Sequence, residues 1–177
     1  MDSNGKDKMK YPRQGHSVCA IGSKFLVVTG SRMDHEESGK KCEIYNVDMD
    51  LWWEIADLNV ARHYHSSCSF ADKFVYIFCG INNATKKYLN TIERYENGAP
   101  NAKWDLIDPS TKLPVRQGCG VAVTGNSSIL IFGGYSARML KDAYLFNTNT
   151  REVTPLTKQP VIEIFSYQMP TIFDSKS

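Results

Sequence analysis

His63 and His65 stand two residues apart, so on a strand both rings point to the same side of a sheet, the arrangement from which a metal site can start. A metal would also need His or carboxylate partners converging from elsewhere, and no spacing nominates them. His16, in "RQGHS", matches His65 in "RHYHS", which argues for a shared structural role. His35 sits in the charged run Asp34-His35-Glu36-Glu37, most simply a solvated loop tip. Five cysteines are an odd number and do not read as a disulfide framework; they read as small, reduced thiols of a cytoplasmic protein. No nucleophile elbow, phosphate loop or zinc-protease helix occurs, and the carboxylates are scattered. The chain is therefore expected to have no catalytic residue, no metal, no cofactor and no enzyme activity of its own.

The elements that position these residues recur. Apolar runs end in glycine three times, at Val27-Val28-Thr29-Gly30, Ile77-Phe78-Cys79-Gly80 and Ile131-Phe132-Gly133-Gly134, the last glycines lying 50 and 54 residues apart. Arg13, Arg62 and Arg116 open the three copies at spacings of 49 and 54. Tyr45, Tyr95 and Phe146 follow in register, then Trp53, Trp104 and Val153. A period of this size marks a repeat architecture. Each copy reads as four short strands, rich in β-branched and aromatic residues and bounded by turn residues, and no sustained 3.6-residue apolar period predicts a helix. Four cysteines fall on repeat positions: Cys19 and Cys68 lie six residues past their arginines, Cys119 matches His16 and His65, and Cys79 aligns with Thr29 and Gly133. Trp53 and Trp104 read as blade-packing residues that bury large apolar area.

The leading Arg, the Gly-Gly that closes the second strand, the aromatic in the third and the Trp that opens the fourth resemble the kelch repeat over about residues 11 to 157. The resemblance implies an all-β fold of four-stranded antiparallel β-propeller blades. The expected organisation is a disordered lead-in (1–10), three repeats (11–58, 59–108 and 109–158) and the start of a fourth repeat or a closing strand (159–177). About three blades and an extra strand make an incomplete ring, since propellers close with roughly 4–8 blades. Three readings of closure stay open: further blades outside this chain, a homodimer completing a six-bladed ring, or an incomplete product. With net charge +2 and 42% hydrophobic residues, neither nucleic acid nor membrane is implied as a partner.

The resemblance implies a protein–protein interaction module that grips a partner protein or peptide through loops on one face. The loops after the second and fourth strands emerge together there, and variable loops on a rigid scaffold concentrate recognition residues. The candidates are Arg32, Asp34, His35, Asn82 and Asn83, then Tyr135, Ser136 and Arg138, with Arg62 and Tyr64 from the other loop set. Arg suits bidentate capture of a carboxylate and Tyr offers rigid area with a polar tip. The recurrence of Arg13, Arg62 and Arg116 favours a structural role for these three, bonding loop carbonyls. The alternative function is a small-molecule- or carbohydrate-binding, or metal-dependent, kelch enzyme fragment similar to galactose oxidase. Its Tyr–Cys pair and further ligands cannot be placed in this sequence.

Overall fold

The computed structural model describes residues 6–33, 36–107 and 113–157. Asp34, His35 and the expected start of a fourth repeat lie outside the described residues. The first blade is the antiparallel sheet β1 (Ser17–Ile21), β2 (Phe25–Thr29), β3 (Cys42–Asn46) and β4 (Leu51–Ile55). A short ribbon pairs β5 (Arg62–His63) with β8 (Ile81–Asn82). The second blade orders β6 (Ser66–Phe70), β7 (Phe74–Phe78), β9 (Ile92–Glu96) and β10 (Asp105–Ile107). The third orders β11 (Gly120–Thr124), β12 (Ser128–Phe132), β13 (Ala143–Asn147) and β14 (Val153–Pro155). The strands next to one another across the blades are β1, β6 and β11. No α-helix occurs among the described residues; a 3₁₀ turn spans Glu36–Lys40. The described residues thus form three successive four-stranded antiparallel blades. Within the stretch 1–10, Lys6 exchanges two backbone hydrogen bonds with Trp52 and Lys10 donates its N–H to Glu43.

Each blade is locked by a leading arginine. Arg13 donates to the carbonyls of Gly30 (2.9 Å) and Lys41 (2.6 Å) and pairs with Glu43 at 2.7 Å. Arg62 donates to the carbonyls of Cys79 (2.9 Å) and Thr91 (3.1 Å) and pairs with Glu93 at 2.8 Å. Arg116 donates to the Gly133 carbonyl (3.0 Å) and pairs with Asp142 at 2.9 Å. All three guanidinium side chains are fully buried. The clamp joins the end of the second strand to the start of the third, where the chain leaves the sheet and its carbonyls would otherwise lack donors.

This geometry corrects the alignment of the glycines. The arginine reaches the residue 17 positions on in all three blades: Gly30, Cys79 and Gly133. These three share a left-handed backbone, with φ of 67°, 63° and 60°. Cys79 therefore corresponds to Gly30 and Gly133, not to Thr29. Ser31, Gly80 and Gly134 form the next position, and a Cβ on Gly80 would lie 2.8 Å from the His63 carbonyl oxygen. Holding a non-glycine residue at the first position costs about 1 kcal/mol. The true repeat is 49 and 54 residues, the spacing of the arginines.

Alternation along the strands sends side chains to two seams. Between the first two blades, Cys19, Val27, Ile44 and Trp53 meet Val75, Ile77, Tyr95 and Trp104. Between the second and third, Tyr76, Phe78, Cys79 and Ile92 meet Cys119, Ile129, Ile131 and Phe146. The tryptophan alignment is also corrected. Trp52 faces Tyr45 across β3 and β4 with ring centroids 4.9 Å apart and an interplanar angle of 36°; Trp104 and Tyr95 give 5.2 Å and 35°. Trp52 is thus the counterpart of Trp104. Trp53 points to the opposite face of its strand and fills the first seam. The Trp104 indole N–H donates to the Ala56 carbonyl at 2.9 Å, tying the second blade to the chain leaving the first.

Polar links close the seams. Ser31 N–H donates to the Arg62 carbonyl, and Gly80 N–H repeats this contact with Arg116. His65 is buried, with Nε2 2.7 Å from Thr29 Oγ1 and Nδ1 without a hydrogen-bond partner. Burial, then the nearby Arg62 charge, hold its imidazole well below the usual histidine range, so it is neutral in the fold. His16 and His63 are held low in the same direction by burial.

Two outcomes follow for stability. Glu93→Ala strands the buried Arg62 charge and should destabilise by about 3–5 kcal/mol in urea unfolding. Asp142→Ala should cost less, because that carboxylate is 23% exposed and water can replace it. Equal losses would contradict the clamp hierarchy. The histidines bind protons more readily unfolded than folded, so acidification favours unfolding. The urea midpoint should fall as pH drops through about 6.5, the ordinary histidine value, and a His65→Gln variant should show a shallower decline. A midpoint that rises over this window would contradict the assignment.

Candidate interaction face

The arginine clamps hold the bases of the loops at one end of the blades. The loops after β2, β7 and β12 and the segments leading into β1, β6 and β11 meet there. Arg62 itself is inside this framework: it is fully buried and its donors are spent on Val60, Cys79, Thr91 and Glu93. It supports the face and offers no guanidinium to a partner.

At the first seam the face is built from Arg32, Tyr64, His63 and Asn83. Arg32 is exposed and its Nη1 donates to the Tyr64 hydroxyl at 3.2 Å. Tyr64 holds a left-handed φ of 52°, with its N–H on the Gly15 carbonyl and its own carbonyl accepting from Gly118 N–H. Its ring covers Gly15, where an added Cβ would lie 2.8 Å from the ring. His63 Nδ1 lies 2.9 Å from Asn83 Oδ1, and Asn83 Nδ2 donates to the Ser31 carbonyl at 2.8 Å. Since the amide oxygen only accepts, Nδ1 carries the proton. Asn83 is buried, so it links blades beneath the surface. Asn82 is half-buried and its Oδ1 accepts from the N–H groups of Ala84 and Thr85, folding the loop tip.

At the second seam, Tyr135 exchanges two backbone hydrogen bonds with Gln117, and its ring meets Tyr88 edge-on with centroids 6.1 Å apart. Ser136 is half-buried and its N–H bonds the Arg138 carbonyl; Arg138 is exposed. The fold therefore gathers Arg32 with Tyr64, and Tyr135 with Ser136 and Arg138, on adjoining parts of one rim. Tyr88 and Gln117 were not read from the sequence. Tyr88 is an aromatic inside a polar loop, which is a usable signal. Gln117 has none, because its position is set by pairing across loops. Its Oε1 is buried without a hydrogen-bond partner. Among the described residues there is no group of three or more His, Cys, Asp or Glu side chains that could hold a metal ion. No helix among them is long and apolar enough to cross a membrane.

Comparison with known proteins agrees with the blade geometry. The chain is similar, at 22% identity over 139 residues, to the "Dynein alpha chain, flagellar outer arm" of Chlamydomonas reinhardtii; the match covers 75% of this chain and 3% of that protein. A family model described as the KLHDC2/KLHL20/DRC7 Kelch-repeats domain matches residues 3–164. With that model matching most of its length, this chain belongs to the kelch-repeat family.

Proposed function

We propose that this chain binds a partner protein or peptide through the rim that carries Arg32, Tyr64, Tyr135, Ser136 and Arg138. The kelch-repeat domain is a protein-interaction module of the β-propeller type. The observation that carries the choice of rim is a division of labour among its side chains. The repeated residues Arg13, Arg62 and Arg116 are buried and bonded to loop carbonyls. The residues particular to one blade, Arg32 and Arg138, are exposed above them. Rigid loop bases with unshared polar and aromatic tips are the usual composition of a recognition surface. No catalytic role is proposed for any residue. The five cysteines are free thiols, which fits a reducing compartment such as the cytoplasm. Tyr45 and Trp52 on the first blade, and Leu130 and Phe132 on the third, are half-buried on the outward blade faces. Those faces suit further blades or a second copy of the chain.

The rim is tested with the double variant Tyr135→Ala, Arg138→Ala in partner capture read by quantitative mass spectrometry. Substitution of surface residues should leave the urea midpoint within about 0.5 kcal/mol of the parent in stability. Loss of two anchor residues should lower capture by roughly tenfold or more, as each anchor contributes over about 1 kcal/mol. Unchanged capture with unchanged folding would remove both residues from the surface.

A further inference from the structure

At one repeat position the second seam pairs two thiols where the first pairs a glycine with a histidine. At the first seam Gly30 opposes His65, and a Cβ built on Gly30 would lie 2.6 Å from the His65 ring. By the arginine register the corresponding pair at the second seam is Cys79 and Cys119. The Cβ direction that meets the histidine ring in one seam thus points at a cysteine side chain in the next. Both residues are buried in the same apolar cluster, and each thiol shifts the other's proton affinity, Cys79 upward and Cys119 downward. Cys119 Sγ in addition lies 3.5 Å from Ser66 Oγ. Gly80 N–H bonds the Arg116 carbonyl at 2.9 Å, so the backbones that bear the two cysteines are themselves fastened together.

A second observation is independent of this proximity. Cys79 holds φ of 63° at a position where both other blades place glycine. A side chain kept in that conformation against its steric cost points to a use for the side chain, since strained residues cluster where function needs them. The fold needs only a glycine there, as Gly30 and Gly133 demonstrate.

We propose that Cys79 and Cys119 are a dithiol pair that a peroxide oxidises to an intramolecular disulfide, stapling the second blade to the third. The Cys119 sulfur attacks one peroxide oxygen as a thiolate, breaking the O–O bond and forming a sulfenic acid with release of water. The Cys79 sulfur then displaces the sulfenic hydroxyl, which leaves as a second water with the remaining thiol proton. Two thiols are oxidised by two electrons and one hydrogen peroxide is reduced to two waters. Cys119 is the better nucleophile, because the neighbouring Cys79 and Ser66 hold its thiol below the usual value. Burial pushes the Cys79 thiol well up, so it acts second. The staple would lie beneath the loops that carry Tyr88 and Tyr135, and a link that closes the 40-residue separation from 79 to 119 restrains the unfolded chain as well.

The test treats the folded protein with hydrogen peroxide, blocks remaining thiols in denaturant and maps disulfides by mass spectrometry. The expected result is a peptide containing Cys79 joined to one containing Cys119, absent after dithiothreitol and absent in a Cys119→Ser variant. The urea midpoint of the oxidised protein should rise and return on reduction. A Cys79→Gly variant, which carries the residue of the other two blades, should fold and lose both effects. The proposal is overturned if both cysteines remain alkylatable at a peroxide dose that oxidises glutathione in the same tube. It is equally overturned if Cys68, half-buried against the same cluster, is the partner recovered instead.

Discussion

A guanidinium removed from water is one of the costlier things a small fold can contain, and each blade here contains one. Burial pulls the Arg62 pKa down, and the charge persists only because Glu93 and the carbonyls of Cys79 and Thr91 replace its water. The same carboxylate accepts from the backbone N–H groups of Asn59 and Val60, so one ion pair fastens the approach to the blade, the end of its second strand and the start of its third. Lys10 and Glu43 repeat the contact in the first blade. The third blade solves the same charge problem differently. Tyr144 occupies the glutamate position and lays its ring 5.0 Å from the Arg116 guanidinium, while the carboxylate moves to Asp142. What is preserved is the neutralised cation, not the residue that neutralises it.

The seams show the same trade in volume. His65 fits the first because the residue opposite is Gly30 and because Thr29 reaches its Nε2. In the second, Phe78 takes the Thr29 position and the ring gives way to the smaller Cys119, which leaves room for a side chain on Cys79. Close packing permits either arrangement but no mixture of the two large partners. Variation between blades is therefore concerted across a seam, which is why position-by-position alignment of single residues misplaces them.

The repeat, the four-stranded unit, the absence of helical periodicity and the kelch family were legible in the chain, because strand alternation and turn chemistry are local. The misreadings are informative about what is not local. Gly30 was matched to Gly80 by residue type, whereas the hydrogen bond from Arg13 matches it to Cys79. Trp53 was matched to Trp104, whereas the tilt of Trp52 against Tyr45 makes Trp52 the counterpart. A one-residue slip sends a strand side chain to the opposite face, so each misreading exchanges a seam residue for one that faces the other way. Asn83 read as a surface recognition residue and is buried, since polarity alone does not report whether a bonded partner waits inside; Arg62, also a recognition candidate, takes the structural role that its recurrence favoured.

From its sequence alone the chain is determined as three kelch-type blades with variable loops on a shared frame, because the spacing of Arg13, Arg62 and Arg116 and the glycine-ended strands survive any choice of packing. Tertiary structure decided which side chains that frame consumes and which it leaves outside. Burial and hydrogen-bond partners come from segments tens of residues apart, as when Asn83 reaches Ser31 or Trp104 reaches Ala56. Such pairings are set by how one sheet lies against the next, and no local pattern within a single blade encodes that.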